Sequence, residues 1–123
     1  PSIEKGQIEG GFVQGTGWLT IEEVIWKANG ELTTHSPSTY KIPAVNDMPE
    51  KFNVNIYKNL NKENVVNKSK TTGEPPLMLA MSVFFAIKDA IASVESYKFI
   101  PKLNAPATPE AILLSIKNLK RNI

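Results

Sequence analysis

One carboxylate in this sequence has surroundings that could give it chemical work. Glu74 lies in Thr71-Thr72-Gly73-Glu74-Pro75-Pro76, where a loop meets a very apolar stretch. Proline at 75 disfavours a helical backbone for the residue before it and removes one backbone donor, so an extended Glu74 is expected. Gly73 is expected to supply an unusual backbone geometry just ahead of it. Two opposed effects would act on the carboxyl group. A positive helix end favours the charged form, while burial beside Leu77 and Met78 disfavours it. From the residues alone, an acidic helix cap and a general base both stand, and the cap is the simpler reading.

The other reactive residue types are isolated. His35 is the single histidine, with no second histidine to share a metal, and reads as a hydrogen-bonded residue near a turn; no metal ligand is expected in this chain. Ser36 and Ser38 flank Pro37 without triad companions. Gly15-Thr16-Gly17 does not complete a dinucleotide-binding glycine pattern. Lys68 and Lys70 read as solvated charges.

These residues must be held by a small body. With 123 residues, of which 41% are apolar, the chain is able to bury one modest core as a single unit. Basic residues number 14 against 12 acidic, and a net charge of +2 makes no electrostatic case for nucleic acid despite a pI near 8.9. Cysteine is absent, so disulfides and thiolate-held zinc or iron–sulfur clusters are excluded within these residues. That composition is compatible with the cytoplasm. No uninterrupted apolar run of membrane-spanning length is expected, nor a signal peptide. The opening Pro1-Ser2-Ile3, without an initiator methionine, suggests a piece of a longer protein.

Apolar periodicity places a helix over 5–26, with Ile8, Phe12, Gly15 and Leu19 on one face. Four of the glycines inside it (Gly10, Gly11, Gly15 and Gly17) each cost about 1 kcal/mol relative to alanine. Close approach of another backbone or of a ligand would offset that cost. Asn29-Gly30 marks a tight turn, followed by a mostly extended stretch from Thr33 to Ile42. Phe52-Asn53-Val54-Asn55-Ile56-Tyr57 alternates apolar and polar residues, the pattern of a strand. Residues 59–69 read as a solvated loop and 95–103 as variable surface. Between them, Pro75-Pro76 opens a helix over 77–93 that is apolar nearly all round, as expected of one buried inside a larger body. Thr108-Pro109-Glu110 starts a last helix over 109–120, with Ile112, Ile116 and Leu119 inward. The expected class is α+β, with three main helices and a short β element.

Several longer motifs occur in register. They are Gly6-Gln7-Ile8-Glu9-Gly10-Gly11-Phe12-Val13-Gln14-Gly15, Thr34-His35-Ser36-Pro37-Ser38-Thr39-Tyr40-Lys41-Ile42-Pro43 and Met48-Pro49-Glu50-Lys51-Phe52-Asn53-Val54. Further along come Ser69-Lys70-Thr71-Thr72-Gly73-Glu74-Pro75-Pro76-Leu77, Phe84-Phe85-Ala86-Ile87-Lys88-Asp89-Ala90-Ile91 and Ala107-Thr108-Pro109-Glu110. In this order they resemble the C-terminal part of the molybdopterin-binding subunit in the xanthine dehydrogenase and aldehyde oxidase family. The block from Pro37 to Pro43 looks more like xanthine dehydrogenase than like the carbon monoxide or nicotinate branches.

The resemblance implies that Glu74 is the family's general base in a hydroxylation that takes its oxygen from water. It implies that Gln7 hydrogen-bonds the molybdopterin and that the backbone at Thr72 lies against the cofactor. Threonines at 71 and 72 depart from the small apolar residues of many relatives, which weakens the Thr72 assignment relative to Glu74. The implied cofactor is molybdenum-molybdopterin, shared with parts of the subunit outside these residues, with FAD and iron–sulfur clusters elsewhere in the enzyme. The implied partners are the remainder of the molybdopterin subunit, the FAD and iron–sulfur parts, and a small purine, xanthine or hypoxanthine, with aldehydes as the alternative substrate. The chain by itself is expected to be inert and to self-associate through its apolar helix; neither nucleic acid nor membrane is an expected partner. A non-catalytic structural or interaction module of the same shape is the competing expectation.

Overall fold

A computed structural model describes residues 2–68, 70 and 72–121. Thr71, one of the two threonines that depart from the family pattern, lies outside the described residues. Helix α1 spans Ser2–Thr20, α2 Glu74–Leu79, α3 Met81–Ser93 and α4 Pro109–Arg121. Helices α2 and α3 follow one another across Ala80, so the three helical stretches expected from the sequence are present.

The first helix ends at Thr20, earlier than its apolar periodicity implied. Beyond it the chain carries β-branched Ile21, Val24 and Ile25, which lose side-chain freedom in a helix. That segment instead turns at Asn29-Gly30 and folds back on itself. Gly30 has φ 84°, its N–H donates to the Lys27 carbonyl at 2.9 Å, and Trp26 forms an antiparallel bridge with Leu32. Thr33 donates from its N–H to the Ile25 carbonyl at 2.9 Å, and the Ile25 N–H donates to the Thr34 hydroxyl at 3.1 Å.

The short β element is a correction. Among the described residues there is no strand, and residues 33–42 contain a turn in which the Tyr40 N–H donates to the Ser36 carbonyl at 2.8 Å. Residues 52–57 run without ladder partners. Their alternation is nevertheless expressed as one-sided burial, because Phe52 and Val54 are half-buried while Asn53 and Asn55 are exposed. The Phe52 ring packs on Phe12 of α1 at 5.4 Å between centroids.

The core lies between α3 and α4. Ile91, Leu103, Ala107 and Leu119 are buried together, with Phe84, Ile87, Phe99, Ala111, Ile112 and Ile116 packed around them. Residues 95–103 are therefore more than surface, since Pro101 and Leu103 are buried and Phe99 touches the core. Apolar content alone did not separate this core-crossing segment from an exposed one. Helix α4 starts as its sequence implied. The Thr108 hydroxyl accepts from the Ala111 N–H at 3.2 Å, and Glu110 sits in the first turn.

The α2–α3 stretch leaves much apolar surface exposed, including Met78 and Leu79 at 59% each and Phe85 at 54%. Residues Glu74–Ser93 are long and apolar enough to cross a membrane by length and composition. Lys88 and Asp89 interrupt the apolar run, so no uninterrupted run of that length occurs, although the average over the stretch stays high enough to qualify. In this chain one side of the stretch packs on α1 and α4. Replacing the cap, Thr108→Ala, is expected to lower stability by about 1 kcal/mol. A lower urea midpoint at unchanged slope checks this, and an unchanged midpoint would show the hydroxyl to be dispensable.

Candidate functional site

The site begins with the approach of two backbones. Positions 7, 11 and 15 of α1 are spaced by four and share a face of the helix. At Gly11 an added Cβ would stand 2.8 Å from the Gly73 carbonyl oxygen and 3.3 Å from the Pro76 Cβ. At Gly15 it would stand 2.8 Å from the Ala80 Cβ and closer still to the Leu77 carbonyl oxygen. Both glycines are thus occupied by the backbone of α2, which bears out the close approach expected there. Gly10 differs, because a Cβ added to it would meet nothing within 4 Å.

This contact brings the three sequence-derived site residues into one neighbourhood. The Gln7 side-chain oxygen lies 3.9 Å from where a Cβ on Gly73 would stand, with half-buried Thr72 before that glycine and exposed Glu74 after it. Two local expectations are corrected. Gly73 has φ −78° and ψ −57°, ordinary right-handed helical backbone, and Glu74 is the first residue of α2 rather than an extended one. Prolines 75 and 76 fit there because the first turn of a helix leaves its N–H groups without intrahelical partners. The Glu74 side chain is exposed in this chain, contrary to the expected burial beside Leu77 and Met78. A Cβ added to Gly73 would meet only the Gln7 side-chain oxygen, at ordinary van der Waals distance, so neither its backbone angles nor a lack of space requires glycine there.

Exposed Gln7 and Glu74 side chains make no hydrogen bond or ion pair among the described residues. Their chemistry fits a polar cofactor and its reacting partner: an amide able both to donate and to accept, and a carboxylate one residue beyond a glycine that leaves space. His35 is exposed, and no group of three metal-binding side chains occurs among the described residues.

Comparison with known proteins decides the kinship. Residues 1–49, which carry Gln7, match the model of a molybdopterin cofactor-binding domain. The chain is 47% identical over 118 residues to a xanthine dehydrogenase/oxidase of Felis catus, covering 91% of this chain and 9% of that protein. It is 44% identical over 126 residues to a xanthine dehydrogenase of Oryza sativa subsp. japonica, covering 94% and 9%. The chain is xanthine dehydrogenase-like. A solved structure of quinoline 2-oxidoreductase from Pseudomonas putida 86 superposes with a TM-score of 0.80 at 32% identity, over 95% of this chain and 14% of that one. The chain therefore spans about a tenth of the length of the curated relatives it matches.

The xanthine dehydrogenase-like fold also contains a polar support that sequence reasoning missed. Glu22 is only 8% exposed, and the Tyr40 hydroxyl donates a short hydrogen bond to its carboxylate. A Cβ at Gly17 would overlap both this carboxylate and the Pro43 ring, whose Cδ would be 2.6 Å away. The available signal was an acidic pair, Glu22-Glu23, set among Ile21, Val24 and Ile25. The same segment is fastened again at Asp47, whose carboxylate accepts from the Ala44 N–H at 2.8 Å and pairs with Lys41 at 3.2 Å. Those contacts hold the Asp47 carboxyl below the usual carboxylate range, the Ala44 N–H first and Lys41 second. A cleft of about 370 Å³ lies alongside, lined in part by Phe12, Thr16, Pro43 and Met48, and neither Gln7, Thr72 nor Glu74 lines it.

The hydrogen bond to Glu22 raises the Tyr40 phenol above its ordinary value, with burial and the carboxylate charge adding to it. A raised folded-state value means that the folded chain holds the proton more tightly than the unfolded one. Its stabilising contribution is then complete below pH ~10 and is lost as pH rises through the folded value. Tyr40→Phe is expected to lower stability at neutral pH and to flatten the alkaline loss. Parallel thermal melts between pH 7 and 11 measure this, and identical alkaline profiles for the two proteins would contradict it.

Proposed function

We propose that this chain is the part of a xanthine dehydrogenase-type molybdenum hydroxylase that supplies the catalytic base, Glu74, and part of the molybdopterin pocket. The observation that carries the reading is the α1–α2 contact, which sets the Gln7 amide beside Gly73, next to Glu74. Similarity to xanthine dehydrogenases over nine-tenths of the chain supports it. In this reading residues 1–123 form one unit within a larger cytoplasmic enzyme, whose remaining parts hold FAD and the iron–sulfur clusters. The absence of cysteine here is consistent with clusters held elsewhere.

Gln7 would hold the cofactor through its side-chain amide, and Thr72 would present its backbone to it. When bound, the molybdenum centre supplies two-electron oxidation of an electron-poor carbon, with water as the source of oxygen. Glu74 accepts a proton at its carboxylate as the attacking oxygen becomes nucleophilic, so it must be ionised before the step and close to the substrate carbon during it. A purine, xanthine or hypoxanthine, is the substrate class; an aldehyde is the alternative.

In the full-length enzyme, Glu74→Gln keeps the size of the side chain but cannot take up the proton. Turnover should fall roughly 10²- to 10⁴-fold with molybdenum content and KM little changed. A fully metallated Glu74→Gln enzyme turning over within a few-fold of the parent would end the assignment. The 123-residue chain alone should carry no molybdenum and oxidise no xanthine, because exposed Gln7 and Glu74 make an open half-site without the dry enclosure that binding and catalysis need. Stoichiometric molybdenum in the purified chain would refute that expectation.

A further inference from the structure

Gln7 and Glu74 sit on different helices, and the spacing between them is set where those helices touch. On α1 the residue that meets α2 most intimately is Gly15, buried two turns beyond Gln7 on the same face. A methyl group at position 15 would lie 2.8 Å from the Ala80 Cβ and 3.2 Å from the Leu77 carbonyl carbon. These neighbours are backbone and a backbone-attached methyl, so no flexible side chain can swing aside. Helix α2 must shift as a body. It is only six residues long and begins at Glu74, so displacement at Leu77 and Ala80 carries the carboxylate with it. Gln7 stays behind on α1.

We propose that Gly15 is a positioning residue for Glu74: by admitting the backbone of α2 against α1, it sets the distance between the proton-accepting carboxylate and the cofactor-facing Gln7. This rests on the reading of Glu74 as the base. It also accounts for a glycine inside a long helix, where the residue costs about 1 kcal/mol against alanine. Gly10 supplies the internal comparison, since it shares the same helix and the same intrinsic cost but has open space where its Cβ would be.

The test uses the full-length metallated enzyme with Gly15→Ala, Gly10→Ala and Glu74→Gln, and with Gly15→Ala combined with Glu74→Gln. Misplacing a reacting group by about 1 Å costs on the order of 10²-fold, so Gly15→Ala should lower kcat by roughly 10- to 100-fold at unchanged KM and molybdenum content. Gly10→Ala should stay within about twofold. In single-turnover reduction, Gly15→Ala should cost less than about threefold in the Glu74→Gln background, because residues acting through one another are not additive. Should Glu74→Gln keep near-parental turnover, the base reading fails and this inference falls with it. With Glu74→Gln inactive, parental kcat in Gly15→Ala overturns the inference alone. Equal losses in both backgrounds, or a loss matching lost molybdenum, would show a general structural role and also overturn it. Where Gly15→Ala does not fold, Ala80→Ser adds an atom from the other side of the same contact and should reproduce the selective kcat loss. Failure of both variants to fold overturns the inference.

Discussion

The contact on which the candidate site depends is the meeting of α1 and α2 at Gly11 and Gly15, backbone against backbone. Two helices carrying ordinary side chains pack with their axes about 8–10 Å apart, and each larger residue at the contact pushes them further. Glycine removes that spacer on one side. What is lost in helix propensity is offset by many short van der Waals contacts, each small and collectively large. The α2 carbonyls of Leu77 and the preceding Gly73 then lie directly on the α1 surface. Because Gln7 shares that surface, its amide comes to rest beside Gly73.

The irregular half of the chain is held differently. With no sheet among the described residues to anchor residues 21–68, they are fastened at points. The Tyr40–Glu22 hydrogen bond lies at the exit of α1, over the space left by Gly17, and Asp47 closes the following turn onto Ala44 and Lys41. A third fastening ties this end of α1 to the α3–α4 core, where the Ala107 N–H donates to the Leu19 carbonyl at 2.7 Å. That bond satisfies one of the carbonyls that every helix C-terminus leaves open. The exit of α1 is thus where the loops and the core are tied together, while its face at Gly11 and Gly15 receives α2.

What was legible in the sequence follows from how local each signal is. The Thr108-Pro109-Glu110 start of α4, the Asn29-Gly30 turn and the inward set Ile112, Ile116 and Leu119 depend on residues within a few positions, and the structure agrees with them. The alternation from Phe52 to Tyr57 correctly marked which side faces inward at Phe52 and Val54. It could not supply the strand partner a ladder requires, since that partner is a distant property. At the site, proline and glycine around Glu74 were read as forcing unusual backbone. Both proved compatible with the first turn of a helix, where missing N–H donors do not matter. The glycines of α1 signalled a close approach, but only the fold distinguishes Gly11 and Gly15, which meet α2, from Gly10, which meets nothing. Glu22 escaped notice because its partner Tyr40 lies 18 residues away.

The exposure pattern bears on the proposed reading through the physics of the reaction. A carboxylate serving as base works best where water is excluded, yet Glu74 and Gln7 are both exposed, and the helix they adjoin shows Met78, Leu79, Met81 and Phe85 on its surface. On that reading, polar site residues beside uncovered apolar ones form one half of a closed pocket. On the proposed reading, the α1–α2 contact brings Gln7 and the start of α2 that carries Glu74 into one neighbourhood. The enclosure is what the chain lacks, and relatives about ten times its length have ample chain to provide it. On this view the order of construction is positional first and dielectric second: the glycine-mediated contact sets the geometry, and the covering of the α2–α3 surface turns that geometry into a site where a proton-accepting carboxylate is effective.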